Sequence, residues 1–270
     1  MNYSLNDLPE RTSKPREAGI TMVMDKGLSI NEVENFISMS AEFTDFVKFG
    51  WATSFVTANL KDKLTAYKNA GIKTYFGGTL FEAFVVRGQY DDYKKLLDKY
   101  DLEFCEVSDG SMTMEHDEKC KYIEDLSKQV TVLSEVGSKD ADVIYPPYKW
   151  IEFIQKEIEA GAWKVIAEAR ESGNVGLYRG TGEVRSGLVQ EILTKIDQDQ
   201  ILWEAPLKPQ QIYFIKLLGA NVNLGNIAPN EVIPVETLRL GLRSDTFSFF
   251  LNGNGAENTV KQTAKNERRE

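Results

Sequence analysis

Histidine and cysteine are scarce in this sequence, and their scarcity excludes several classes of protein. The 270 residues include one histidine, His116, and two cysteines, Cys105 and Cys120. Two cysteines exclude a disulfide framework, and one histidine excludes a multi-histidine zinc site and disfavours a histidine-centred triad. A divalent metal would have to be held mainly by oxygen, which favours magnesium, manganese or calcium.

Positive charge and long apolar runs are also lacking. The chain has 32 basic and 41 acidic residues, a net charge of −9, so a broad nucleic-acid surface is not expected, although a local basic pocket is still allowed. No apolar run approaches the roughly 20 residues of a membrane helix, and the polar start of the chain lacks the apolar segment of a secretory signal. We therefore expect a cytoplasmic protein without nucleic-acid or membrane partners.

Short β-rich segments alternate with longer helical segments along the chain. We predict strands at 20–25, 45–49, 72–76, 103–108, 130–136, 164–168, 201–205 and 221–225, and helices at 29–40, 59–69, 90–100, 115–128, 150–160, 187–195, 209–218 and 235–242. Strand followed by helix, repeated, indicates parallel βαβ units, and eight repeats without a linker favour a closed barrel. The prediction is an α/β fold, a single (β/α)8 TIM barrel over 1–251, with a polar, disordered tail over 252–270.

Carboxylates interrupt four of these strands at equivalent positions. They lie in FCEVS, VLSEV, VIAEA and ILWEA, as Glu106, Glu135, Glu168 and Glu204. Catalytic groups in α/β barrels lie at the carboxyl ends of strands, so these side chains should converge in one mouth. A buried carboxylate is costly unless a cation or metal accompanies it. A structural salt bridge is the alternative for any one of them, whereas the set favours a common site, with Glu106, Glu135 and Glu168 as metal ligands.

Groups that suit an anion also follow the strands. Backbone N–H groups of the Gly77-Gly78 turn could face a phosphate, although paired glycines are more often plain turns. Phosphate sites in barrels often follow the last two strands, which directs attention to Asn226. Gly77, Gly78 and Asn226 are therefore candidates for binding an anion, and the cations Lys26, Lys48, Lys139 and Arg170 could offset the buried glutamates.

As a group, the strand-end motifs closely resemble those of the phosphosulfolactate synthase family. The matching stretches are GITMVMDKG at 19–27, DFVKFGW at 45–51, GGTLFE at 77–82, EVSDGS at 106–111, EVG at 135–137, RESG at 170–173, EAP at 204–206, NVNLGN at 221–226 and LRLGLR at 238–243. They occur in the family's order over about residues 8–247. Ala52, Phe76, Ala169 and Ser244 depart from the family's usual residues, and the segment after Lys139 is shortened.

The resemblance implies an α/β barrel that adds sulfite to phosphoenolpyruvate with magnesium, giving (2R)-3-sulfo-2-phospholactate. In the family, a lysine shortly after the Glu-Val-Gly motif is a proposed general acid, and it corresponds here to Lys139. The implied substrates bring phosphate, carboxylate and sulfite groups together, and the predicted substrate-binding groups that neutralise them are Lys26, Lys48, Arg170 and the Gly77-Gly78 turn. Archaeal members supply coenzyme M biosynthesis. Two alternatives stay open, namely a lyase with another nucleophile or enol phosphate, and a non-catalytic barrel related to heat-stress-associated plant members. Because barrels of this kind often associate, a homo-oligomer is a further expectation.

Overall fold

The structure is a computed structural model that describes residues 2–137, 145–169 and 172–251, and its centre is a sheet of eight parallel strands. The strands are β1 (Thr21–Asp25), β2 (Phe46–Phe49), β3 (Lys73–Phe76), β4 (Phe104–Val107), β5 (Thr131–Val136), β6 (Ala162–Ala167), β7 (Ile201–Glu204) and β8 (Leu224–Ile227). Hydrogen bonds join them in the order β3-β2-β1-β8-β7-β6-β5-β4. The outermost strands, β3 and β4, contact each other, so the sheet forms a nearly closed barrel.

Helices follow the strands and cover the outside of the barrel. They are α1 (Ile30–Ser40), α2 (Thr53–Val56), α3 (Leu60–Asn69), α4 (Gly78–Val85), α5 (Tyr90–Lys99), α6 (His116–Leu126), α7 (Pro147–Glu159), α8 (Ser186–Leu193), α9 (Lys208–Leu218), α10 (Val232–Arg239) and α11 (Ser244–Leu251). The first helix illustrates how local sequence determines where a helix begins. Ser29 caps it in a reciprocal capping box with Glu32, as the sequence pattern indicates. The predicted (β/α)8 TIM barrel is confirmed.

Two apolar cores hold the layers together. The larger core lies between the outward faces of the strands and the helices. The smaller core fills the barrel itself and consists of Ile20, Met22, Phe46, Tyr75, Phe104, Leu133, Ile166 and Leu202. Its rings pack edge to face, as between Phe46 and Phe104 at 5.0 Å between ring centroids. The barrel interior is therefore a packed core, and the space for a ligand lies above it.

Buried arginines bind backbone carbonyls at the amino ends of the strands. The Arg239 guanidinium donates to the carbonyls of Ala220 and Val222 at 2.7 and 2.6 Å, and to that of Ile20 at 3.1 Å. Arg11 pairs with Glu236 at 2.9 Å. Arg11 thus connects the N-terminal segment to α10, and Arg239 connects α10 to the residues that precede β1 and β8. This face of the barrel therefore contributes to stability.

The last strand is the main departure from the sequence prediction. It runs over Leu224–Ile227, not 221–225, because Asn221 and Asn223 use their side chains as hydrogen-bonding groups below it. The Asn223 amide oxygen accepts from the Ile20 N–H at 3.1 Å, and the Asn221 side chain accepts from Arg11. Helices α2, α4 and α11 are not among the predicted helices. The tail at 252–270 lies outside the described residues, and within those residues no helix combines the length and apolarity that a membrane crossing requires.

Candidate active site

A cavity of about 380 Å³ opens at the carboxyl ends of the strands. Its volume falls within the range that small-molecule sites occupy, roughly 300–1,000 Å³. The residues around it are Met24, Lys48, Gly50, Trp51, Gly77, Thr79, Glu106, Ser111, Glu135, Glu168, Ser172, Glu204 and Asn226. Six of the ten predicted site residues therefore meet in one place, together with Glu204.

The carboxylates reach the cavity because inward-facing side chains recur at every second residue of a strand. A two-residue step connects each of them to the barrel core, from Phe104 to Glu106, Leu133 to Glu135, Ile166 to Glu168 and Leu202 to Glu204. All four glutamates are buried. The barrel is thus apolar at its middle and acidic at its mouth.

Lys48 of β2 is the cation at the centre of this acidic layer. Its Nζ lies 3.0 Å from a Glu106 carboxylate oxygen, 3.5 Å from one of Glu135 and 3.4 Å from one of Glu204. Burial alone would lower the pKa of Lys48, but these carboxylates outweigh it and hold the pKa well above its ordinary value. Lys48 therefore stays protonated and balances the protein's own carboxylates, rather than serving substrate anions alone.

Glu106 is bound on both sides by the protein. One carboxylate oxygen accepts from the Gly78 N–H at 2.7 Å, and the other faces Lys48. Burial raises the pKa of Glu106, and the ammonium of Lys48 opposes this effect. The Gly77 N–H donates to the Phe49 carbonyl at 3.0 Å. Both N–H groups of the predicted phosphate turn thus have protein acceptors, and a phosphate at this turn would have to compete with them.

The bond from Gly78 to Glu106 also spans the junction between β3 and β4. A second carboxylate, Glu82 of α4, crosses the same junction, and it accepts from the Ser108 hydroxyl and from the Ser111 N–H. Glu82 is buried, and Ser111 lines the cavity. Side chains therefore connect the two strands at the mouth.

Three carboxylates form the group that best suits a metal ion. Oxygens of Glu135, Glu168 and Glu204 all lie within 4.8 Å of one another. Burial raises the pKa of Glu204 to about 7, with Lys48 acting in the opposite direction. The second Glu204 oxygen accepts from the Ala169 N–H at 2.9 Å, a bond that glycine or alanine supplies equally well. Oxygen-only ligand sets suit hard cations such as Mg²⁺.

The sequence prediction of metal ligands differs from this group at one position. Glu135 and Glu168 belong to the group, whereas Glu106 lies beside it in contact with Lys48 and Gly78. In the sequence, Glu204 is identified as a strand-end carboxylate, and no metal role is predicted for it. The pattern ILWEA has a glutamate near its end, as the other three strands do. The sequence therefore does not show which three of the four glutamates form the metal group, and their positions in the structure do.

Asn226 enters the cavity through an irregularity in β8. Thr21 pairs with Leu224, whereas Val23 pairs with Ile227, so one extra residue is accommodated in β8. Asn226 has a φ of 55° at this bulge. Its side-chain oxygen is buried and has no hydrogen-bond partner among the described residues, which makes it ready to meet a ligand.

Lys26 lies at the rim of the mouth. Its Nζ is 5.3 Å from the centroid of the Trp51 ring, and Trp51 lines the cavity. The loop that carries Lys26 is fixed from below by Asp25, which accepts from the Gly27 N–H at 2.8 Å and pairs with the buried Lys63 at 2.7 Å. Lys139 and Arg170 lie outside the described residues, and their predicted roles rest on the sequence.

The chain matches known proteins over most of its length. Residues 9–245 match the family model described as (2R)-phospho-3-sulfolactate synthase (ComA). The chain belongs to the phosphosulfolactate synthase family. The phosphosulfolactate synthase of Bacillus subtilis (strain 168) is 43% identical over 250 residues, which cover 92% of this chain and 99% of that protein. The Methanocaldococcus jannaschii phosphosulfolactate synthase is 41% identical over 86% of this chain and 94% of its own length.

Solved structures share the fold at low sequence identity. The 3-hexulose-6-phosphate synthase of Salmonella typhimurium aligns with a TM-score of 0.55 and 12% identity, over 83% of this chain and all of that chain. At this identity the likeness concerns the barrel alone. The family membership therefore rests on the sequence relatives, and the site on the side chains at the mouth.

Proposed function

We propose that this protein adds sulfite to phosphoenolpyruvate, giving (2R)-3-sulfo-2-phospholactate, with Mg²⁺ bound at the mouth of the barrel. The observation that carries the proposal is the group of three buried carboxylates from Glu135, Glu168 and Glu204, whose oxygens lie within 4.8 Å of one another. Buried carboxylates packed this closely repel one another unless cations accompany them. Family membership supplies the reaction that such a site would serve.

The residues present fit a magnesium ion. Glu135, Glu168 and Glu204 offer carboxylate oxygens, and the unpartnered Asn226 oxygen lines the same cavity. When bound, Mg²⁺ would supply positive charge where negative charge develops on the substrate carboxylate. Lys48 neutralises part of the protein's own negative charge, so the cavity can accept further anions.

The bond changes in this reaction are simple. The sulfur lone pair of sulfite forms a bond to the methylene carbon of phosphoenolpyruvate, and the double-bond electrons move toward the carboxylate as an enediolate. A proton must then reach the adjacent carbon from a general acid, a role that we assign to Lys139 from the family motif. Lys26 and Arg170 are the further cations that we assign to the phosphate, carboxylate and sulfite groups.

Phosphorus NMR of a mixture of protein, Mg²⁺, sulfite and phosphoenolpyruvate tests the proposal. We expect a new phosphorus resonance and loss of the enol absorbance, both abolished by EDTA and restored by excess Mg²⁺. The same mixture without sulfite is the control, and turnover there would favour another nucleophile. No turnover in the complete mixture would reject the proposal. Lys139→Ala should lose most of the rate while keeping the thermal midpoint, and a near-normal rate would remove the acid role.

A further inference from the structure

A buried lysine outside the barrel is bonded to the backbone of a candidate metal ligand. Lys119 of α6 is 1% exposed and lies behind the end of β5. Its Nζ is 2.8 Å from a Glu157 carboxylate oxygen, 3.1 Å from one of Asp109, and 2.5 Å from the backbone carbonyl of Glu135. An ammonium group has three protons, and these three acceptors match them.

The environment of Lys119 keeps it charged. Burial would lower the pKa of Lys119, but the carboxylates of Glu157 and Asp109 outweigh it and raise the pKa above its ordinary value. Glu157 of α7 is itself fully buried, and it also lies 3.2 Å from Nε2 of His116. The His116 ring stacks on Phe153 at 4.1 Å between centroids. The sole histidine of the chain thus belongs to this support network, outside the cavity.

The three partners of Lys119 connect it to two walls of the site. The Glu135 carbonyl points outward to Lys119, while the Glu135 carboxylate points inward to the metal group. Asp109 lies in the loop after β4, between Ser108 and Ser111, the two residues that Glu82 holds. One ammonium group therefore fixes the end of β5 relative to the loop that follows β4.

We propose that Lys119 is a positioning residue, which holds Glu135 and the loop at 108–111 in the arrangement that a divalent cation requires. This inference rests on the proposed function, since it concerns the same metal group. Groups behind metal ligands commonly change metal affinity by about 10–100-fold when they are removed. A purely structural lysine would instead change stability alone, and this difference can be measured.

Mg²⁺ binding measured by calorimetry, together with thermal unfolding, separates the two roles. Lys119→Met should weaken Mg²⁺ binding at least tenfold and lower the thermal midpoint, because Glu157 is left buried without its cation. The double variant Lys119→Met/Glu157→Gln removes that uncompensated charge. It should recover much of the thermal midpoint while keeping the weakened Mg²⁺ binding, since the Glu135 carbonyl and Asp109 remain unheld.

Two further variants serve as controls. Glu157→Gln alone leaves the bonds of Lys119 to Glu135 and Asp109, so its Mg²⁺ affinity should stay near that of the wild type. Lys63→Met removes a lysine of equal burial, 1% exposed, whose partner is Asp25 and not the metal group. It should lower the thermal midpoint without a tenfold loss of Mg²⁺ affinity.

The outcomes distinguish this inference from the proposed function. Wild-type Mg²⁺ affinity in the double variant would overturn the positioning role and leave the metal site intact. An equal loss of affinity in Lys63→Met would also overturn it, because the effect would then reflect stability in general. Absence of Mg²⁺ binding by the wild-type protein would instead reject the metal site itself, and the positioning role with it.

Discussion

Gly137 lies directly against the side chain of Glu168. A Cβ at position 137 would be 2.6 Å from the Glu168 Cβ and 2.9 Å from a ring carbon of Trp150, and the φ of Gly137 is 136°. Side chains rarely adopt this φ, and the first distance is far below van der Waals contact. The chain can therefore leave β5 beside a candidate metal ligand because residue 137 has no side chain.

Gly137→Ala should displace Glu168 and disrupt the metal group. We expect Mg²⁺ affinity to fall at least tenfold and the free energy of unfolding to fall by about 2 kcal/mol, from the backbone strain and the clash together. Calorimetry and urea denaturation measure the two effects. Gly88→Ala is the control, since its φ is +67° and nothing lies within 4 Å of the added Cβ. Equal Mg²⁺ affinity in both variants would contradict the expectation.

Lys48→Met should destabilise the barrel strongly. Removing the cation leaves Glu106 and Glu204 buried without it, and breaking a buried ion pair commonly costs about 3–5 kcal/mol. Urea denaturation gives the change in free energy of unfolding. The exposed pair of Lys68 and Asp101, with side chains 63% and 83% exposed, provides the control. Lys68→Met should have little effect, and an equal effect of both substitutions would refute the central role of Lys48.

Asn226 permits separate tests of its backbone and its side chain. Asn226→Gly removes the amide while tolerating the φ of 55°, whereas Asn226→Ala removes the amide and adds strain of about 1 kcal/mol. If the amide binds a ligand, both variants should raise the KM for phosphoenolpyruvate severalfold, and only the alanine variant should unfold at a lower temperature. An unchanged KM in Asn226→Gly would exclude a binding role for the side chain.

Glu82 should determine how firmly the loop after β4 is held. Glu82→Ala removes the acceptor of the Ser111 N–H. We expect faster hydrogen exchange at Ser111 and a free energy of unfolding that is lower by about 1–3 kcal/mol, because a buried donor loses its partner. Glu82→Gln retains one oxygen for that N–H, and its amide can donate to the Ser108 hydroxyl. This variant should therefore keep most of the protection. Loss of protection equal to that of the alanine variant would show that charge, and not hydrogen bonding, holds the loop.

The barrel and most of its mouth could be predicted from the sequence, because both depend on local patterns. A strand of four to six residues leaves a clear apolar signal, and a charged residue at its end stands out against it. The same two-residue alternation that builds the strand also determines which carboxylates face inward. One cavity is accordingly lined by Glu106, Glu135 and Glu168 together with Lys48.

What could not be predicted depends on contacts between distant segments. The bulge in β8 changes the direction of Asn226, and it depends on pairing with β1, about 200 residues earlier in the chain. Membership of the metal group likewise depends on how the strands are arranged in space, since Glu135 and Glu204 both contact Lys48 and also belong to that group. The glycine turn at 77–78 has the composition of an anion-binding loop, yet its N–H groups donate to Phe49 and Glu106. Composition alone does not reveal a competing acceptor.

The hydrogen bond that spans the junction between β3 and β4 has a consequence for how the site can change during evolution. Glu106 accepts from Gly78 across that junction and contacts Lys48 in the cavity, so one residue contributes to sheet closure and to the charge at the mouth. A substitution that altered the chemistry at this position would also loosen the wall that holds it. New substrate preferences should therefore arise more readily in the rim residues, such as Lys26 and Trp51, than in the glutamates beneath them.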